Sequence, residues 1–488
     1  MVESVTSGSV SSGADGSLRD VVLAGPGAGM AVSAVVGPGP LAVVASPQRV
    51  RAALAAAGYA DKCRGVLTGA VTTVLVLGLC LYCGQGYAGV ICRLWPLLGW
   101  FNPAVVVSGP VSAVALSQAR ARLPAGVLRA VFAAGAAAGA AATATAGSAV
   151  FGLVLTAVDG TVLDLAATGA NRERFATPSG GRFPQARVVT LVACGTRRVL
   201  AAEVDSCAVS EQKLWDRLVA QLQPGTLNLA DRNFFSMDRW RAAAATGAHL
   251  AWRVKNGARS LPATVVATLP DGSQLVRLTE SDAMLARRRK ATGQAKAARL
   301  AGITARLVTF TVTVTGPAGQ TTTSTFRVLT TLVDHDAYPA AQVAACYAER
   351  WQVELVYKTV KTTLRGGNRR LRGQSPDLAE QEVWGLLAVY NAVVDQAVAA
   401  AVDLGIDPDQ ISFTQVLHAT RDHLTPPCRS CGHHPAPADL TAAVTAGPRN
   451  RTGRTRTAPR TTRQRQTQHG RNVTYTITIT KSNLPRTT

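Results

Sequence analysis

Acidic residues are scarce in this 488-residue chain: 29 Asp and Glu stand against 51 Lys and Arg, a formal charge of +22. That imbalance favours a polyanionic partner, nucleic acid first, with a merely solvated basic surface as the alternative. Also missing is the cysteine spacing of a secreted disulfide framework; the nine cysteines follow no such pattern, and a chain this long needs none. No basic stretch followed by an apolar core and a cleavage site opens the sequence, so a cytoplasmic protein is expected. A sustained membrane pattern is lacking too. Val66 to Cys83 is apolar apart from threonines and glycines and about as long as a spanning helix. Alanine, glycine and threonine dilute it, nothing downstream continues it, and a buried helix is the expected reading.

What is present divides the chain by texture. Residues 1–45 are rich in Gly, Ser, Val and Ala without a persistent period and read as a flexible leader. Residues 46–148 read as a helical N-terminal DNA-binding domain, opened by a Ser46-Pro47 cap. In it Arg120, Arg122 and Arg129 suit phosphate contacts or a plain solvated helix face. An alternating β/α pattern begins at Val150 and fills a domain over 149–400. Its first strand, Phe151 to Asp159, ends in an acid, and so does Thr226 to Asp231. Ser210 caps a helix between them, and a helix from Met237 and a strand His249 to Val254 follow. Residues 255–326 change to short Thr- and Val-rich strands, a β-rich insertion that includes the basic run Arg287 to Lys290. One long helix is expected from Pro339 to about Leu364, then another holding Glu382 and Trp384. Residues 401–488 read as a helical segment and a basic tail. From Arg449 onward that tail has nine arginines, one lysine and no acid, and is expected to be disordered without an anion.

The helix around Glu354 carries the chemistry. At about 100° per residue, Arg350, Glu354 and Lys361 project within about 60° of Tyr347, and Val353, Val356, Val360 and Leu364 lie opposite. An ordinary salt-bridged amphipathic helix has the same pattern. Context separates the two readings, because two strands ahead of this helix deliver Asp159 and Asp231 to the edge where β/α proteins collect ligands. Three converging carboxylates repel one another unless a cation lies between them. All-oxygen ligands favour Mg²⁺ or Mn²⁺, and two such ions roughly 3.5–4 Å apart can serve phosphodiester chemistry. Arg350 and Lys361 would then hold phosphates.

Val158-Asp159-Gly160-Thr161, Ala230-Asp231-Arg232-Asn233-Phe234-Phe235-Ser236 and Tyr347-x2-Arg350-x3-Glu354-x6-Lys361 resemble the DDE transposases of bacterial insertion sequences. More narrowly they resemble the group typified by insertion element 4, with its Tyr-Arg-Glu-Lys signature. Ser117 to Leu123, Gly247 to Arg253, Leu329 to Asp334 and Gln381 to Leu387 agree in order and spacing. The resemblance implies an α/β, RNase H-like catalytic core with a β insertion between the second Asp and the Glu. It implies metal-ligating, catalytic Asp159, Asp231 and Glu354, two Mg²⁺ or Mn²⁺ ions, and DNA contacts from Tyr347, Arg350, Lys361 and Arg232. Cut-and-paste transposition is implied on double-stranded DNA, at inverted-repeat ends and a target, by a homodimer, with no membrane. A nuclease of the same fold and a silent DNA-binding derivative are the alternatives. The family's hairpin step uses a tryptophan of the β insertion, yet residues 255–326 contain none; Trp252 and Trp351 are nearby and equally suited to the core. Asp164, Asp205, Asp334 and Asp336 are expected to be strand, turn or loop residues. Cys428, Cys431, His433 and His434 hint at zinc but are too closely spaced for the usual finger.

Overall fold

The computed structural model describes residues 45–61, 65–139, 149–257, 261–315, 320–367, 369–424, 440–447, 474–480 and 484. The leader up to residue 44 and the Cys428/Cys431/His433/His434 group lie outside the described residues. The first helix, α1 (Pro47–Ala56), starts where expected, with the Ser46 hydroxyl accepting from the Arg49 amide and Pro47 leading the first turn. Next come α2 (Gly69–Leu81), α3 (Tyr87–Leu94), α4 (Ala104–Val107), α5 (Ala113–Arg122) and α6 (Ala125–Gly139). All thirteen residues of α2 are buried, which explains its apolar run: protein surrounds it, and it is too short for a span that needs about 20 residues.

Five strands build the centre: β2 (Leu153–Asp164), β3 (Gln185–Ala193), β4 (Val199–Ser206), β5 (Thr226–Ala230) and β6 (His249–Val254), with a two-residue β1 (Ala149–Val150) beside β2. Their order is β4-β3-β2-β5-β6. The first three form an antiparallel meander, and β5 and β6 run parallel to β2. This is the RNase H-like arrangement. Helix α7 (Gly169–Phe175) precedes β3, α8 (Glu211–Leu218) links β4 to β5 and α9 (Met237–Ala244) links β5 to β6. One face of the sheet packs Trp215, Phe234, Trp240 and Trp252 into an apolar cluster. Trp252 is fully buried there, its indole donating to Asn228, and so belongs to the core.

Beyond Val254 the sheet continues through β10 (Thr321–Thr330), β9 (Ile303–Thr315), β8 (Gln274–Leu278) and β7 (Ala263–Thr268). The insertion is therefore one sheet with the core, since β10 pairs directly with β6. Arg287 to Lys290 lie on a helix, α10 (Asp282–Thr292), capped by Ser281. At the β7–β8 tip Asp271 accepts from the Ala340 amide and pairs with Arg306. Arg306 is fully buried and also reaches Ser273 and the carbonyls of Leu332 and Tyr338.

The expected single helix from Pro339 to Leu364 is instead three pieces. α11 (Ala340–Ala348) leads through Glu349 and Arg350 into α12 (Trp351–Lys358), and Thr359–Leu364 is a π-helical turn. Around the junction the amides of Glu349, Arg350, Gln352 and Val353 each bond the carbonyl three residues back, so the chain tightens there and widens one turn later.

α13 (Pro376–Asp403) is long and apolar enough to cross a membrane, but most of it is buried in protein against α2 and α6. α14 (Phe413–His423) and α15 (Leu440–Thr445) follow. The tail is not wholly without structure: β11 (Thr474–Thr480) pairs antiparallel with β9. Arg120, expected at a phosphate or on a solvated face, is only 1% exposed. It donates to Gln381, the Tyr87 hydroxyl and the Leu378 carbonyl, and so joins the N-terminal helices to α13.

Candidate active site

Asp159 does not end its strand. β2 runs on to Asp164 because Thr161, Val162 and Leu163 keep pairing with β3 as far as Asp164↔Gln185. Alternation puts Asp159 on the sheet face that carries Leu155, Ala157 and Leu163, toward α12 and α13. On the neighbouring parallel strand Val158 is in register with Ala230, so Asp159 and Asp231 are the next residues of adjacent strands. Glu354 comes from the first turn of α12.

Arg350 ties these elements together. Its Nη1 lies 3.3 Å from Asp159 Oδ2 and its Nη2 lies 3.2 Å from Glu354 Oε1. Burial disfavours its charge, but Tyr347, Asp159, Asp231 and Glu354 outweigh that and raise its pKa, so the guanidinium stays charged. Burial pushes Asp159 from 3.8 up to about 6, against the pull of Arg350 and of the Gly160 amide that its Oδ1 accepts at 2.8 Å. Buried Oδ1 of Asp231 accepts no hydrogen bond, and Nη1 of Arg253 stands 3.7 Å from it. Three carboxylates thus lie beside two guanidiniums, and one buried oxygen, Asp231 Oδ1, has no donor. A divalent cation with oxygen ligands fits that deficit.

Two of the acids, Asp159 and Glu354, are bridged by Arg350. Among the described residues the group of three ligand-type side chains whose donor atoms lie within 4.8 Å of one another is Asp334, His335 and Asp336. Those two acids are exposed, and Asp334 caps its own loop through the amides of Asp336 and Ala337.

The other expected site residues fall differently. Tyr347 is buried, its hydroxyl 3.4 Å from the Ala230 carbonyl beside Asp231. Lys361 lies within the π turn and lines a small cavity with Thr161, Leu163 and Tyr357. Burial, aided by Arg365, lowers its pKa. Arg232 is exposed next to Asp231. Asp164 accepts from the Gln185 side chain and Asp205 pairs with Arg174 and Arg217.

Sequence reasoning missed four neighbours: Arg253, Tyr357, Glu211 and Asn233. Tyr357 reads as part of an amphipathic helix, yet its hydroxyl donates to the Asp159 carbonyl at 2.5 Å. Glu211, first residue of α8, lies against Gly160, pairs with Arg187 at 3.2 Å and accepts from Asn233 at 3.2 Å. The side chain missing at Gly160 is the signal that could have suggested it.

Two family models match the chain: a transposase DDE domain over residues 151–392, holding all three acids, and the insertion element 4 transposase N-terminal domain over 38–133. The chain belongs to the insertion-element-4 family of DDE transposases. Transposase InsG for insertion sequence element IS4 of Escherichia coli (strain K12) is 30% identical over 271 residues, 54% of this chain and 57% of that protein. The chain thus matches little more than half the length of this relative. The transposase for insertion sequence element IS421 of Escherichia coli is 36% identical over 77 residues, 16% of this chain and 20% of its own. A piggyBac transposase in a synaptic complex with hairpin DNA superposes with a TM-score of 0.40 at 8% identity, covering 78% of this chain and 77% of that one. In this family member the DDE match spans the core, the whole β7–β10 insertion and the first half of α13, so core and insertion form one unit in sequence as in space.

Proposed function

We propose that this chain is a cut-and-paste DNA transposase that cleaves phosphodiester bonds at the inverted-repeat ends of its element and joins them to target DNA. The observation that carries the reading is the pairing of Arg350 with both Asp159 and Glu354 beside a buried Asp231 oxygen that lacks a donor. Asp159, Asp231 and Glu354 would hold two Mg²⁺ or Mn²⁺ ions. When bound, such ions ease deprotonation of the attacking oxygen and stabilise the leaving oxygen.

The protein's own residues do the rest. Asp159 and Asp231 each come one residue after the last β2–β5 pair, Val158↔Ala230, so their carboxylates issue from adjacent strands. Arg350 offers a planar fork of donors to a phosphate oxygen. Lys361, along β2 from Asp159, and exposed Arg232 would take phosphates on either side as point charge and fork. Tyr347 steadies the end of β5 through the Ala230 carbonyl. The charge of +22 supplies sequence-independent attraction. A homodimer on paired ends and a cytoplasmic, nucleoid-associated location complete the reading.

A donor-plasmid excision assay with Mg²⁺ tests it. Wild type should release and join the element, whereas Glu354→Gln should lose cleavage and keep end binding. Nicking without joined products would favour a nuclease, and absence of metal-dependent cleavage at the cognate ends would sink the enzymatic reading.

A further inference from the structure

The parallel ladder between β2 and β5 ends at Val158↔Ala230, one residue short of Asp159. On its other side β2 stays paired with β3, where Asp159 lies opposite Thr190 and the ladder runs on to Asp164. There the Asp159 carbonyl oxygen accepts from the phenol of Tyr357 at 2.5 Å. The same hydroxyl pairs with Thr190 Oγ1 at 2.8 Å, and Thr190 is the cross-strand partner of Asp159 on β3. Tyr357 is buried and lies three residues after Glu354 on α12. Its ring therefore spans the gap between the helix bearing one acid and the strand bearing another, at their closest functional point.

Arg350 spans the same gap through its side chain, but its bonds go to the two carboxylates themselves. A cation binding those carboxylates would compete with them. The bond from Tyr357 goes to main chain, so it persists whatever the carboxylates hold.

We propose that Tyr357 is a positioning residue that sets the Asp159–Glu354 separation for metal binding, by clamping the Asp159 main chain to the Glu354 helix. This rests on the assignment of those acids as metal ligands. Hydrogen bonds that orient metal ligands without touching the metal are worth roughly 10- to 100-fold in metal affinity when removed. Tyr357→Phe keeps the ring and its packing and deletes only the hydroxyl.

The test is a Mn²⁺ titration of the full chain, read by electron paramagnetic resonance and by the metal-induced rise in melting temperature, with cleavage measured in parallel. Tyr82→Phe is the matched control, because that buried phenol also donates to a main-chain carbonyl, Arg421 at 2.8 Å, in the N-terminal helical region. The expected result is a Mn²⁺ midpoint raised roughly 10-fold or more in Tyr357→Phe and unmoved in Tyr82→Phe. If both variants lower the metal-free melting temperature alike and neither moves the midpoint, Tyr357 is only structural and the inference is overturned. Should Tyr357→Phe not fold, Thr190→Val removes the hydroxyl's second partner, and an unchanged midpoint there overturns it equally. Wild type that binds no Mn²⁺ would overturn the proposed function and this inference together; wild type that binds and cleaves, with a variant midpoint like its own, overturns this inference alone.

Discussion

Asp159 is a carboxyl that folding makes harder to ionise. Burial raises it from 3.8 to about 6, Glu354 and Glu211 add to the rise, and Arg350 with the Gly160 amide offset part of it. Between those pH values the folded protein keeps a proton that the unfolded chain has released. Stability of the metal-free protein therefore falls as pH rises from about 4 to about 6 and levels off above, by an amount on the order of 3 kcal/mol from this group. Urea melts across that range should show the decline for wild type and a flatter profile for Asp159→Asn; identical slopes would refute the assignment. Asp159, Asp231, Glu354 and Arg350 stood out in the sequence because they sit in spaced motifs, and Arg350 does pair with Asp159 and Glu354. Tyr357 and Arg253 did not, since a tyrosine on an amphipathic helix and an arginine in a strand give no local sign of what they touch 198 and 22 positions away. Arg120 was misread for the same reason, its partner Gln381 being 261 residues distant.

At the scale of elements, β2 and α8 meet where Gly160 leaves room for Glu211. A Cβ at 160 would stand 2.6 Å from Glu211 Oε1 and equally close to the rest of that side chain's end. Gly160→Ala should cost about 1–3 kcal/mol by overpacking. Adding Glu211→Ala should recover part of it, so the double mutant loses less than the two single losses summed. Strict additivity in chemical melts would show that the contact has no energetic weight. Strands and caps were readable from period and end residues: His249 to Val254 matches β6, and Ser46 and Ser210 act as caps. Breaks were not. Helix-forming residues run unbroken from Ala340 to Leu364, and the tight turn at Arg350 and the π turn after Lys358 come from tertiary contacts, not from glycine or proline. The strand through Asp159 ran on past its acid because pairing with β3 outweighs the turn tendency of Asp-Gly.

For the molecule as a whole, β11 covers Thr309–Thr315 of β9, a stretch of edge that would otherwise present unpaired amides and carbonyls. Truncation after Val473 should lower the melting temperature and cause concentration-dependent light scattering. A truncated chain that stays monodisperse and melts like wild type would show that the strand is dispensable. Neither the continuity of core and insertion sheets nor the return of the tail onto β9 could be read from the sequence, because strand order depends on pairings between segments far apart along the chain.

That continuity closes a circuit. The insertion leaves the core at β6, the parallel neighbour of the strand that leads to Asp231, and its far tip comes back through Asp271 and Arg306 to Ala340, the start of the helices that carry Arg350 and Glu354. A load on the β7–β8 hairpin is therefore carried at two places. It passes at one end to β6, the neighbour of the strand that leads to Asp231, and at the other to the helices that carry Arg350 and Glu354.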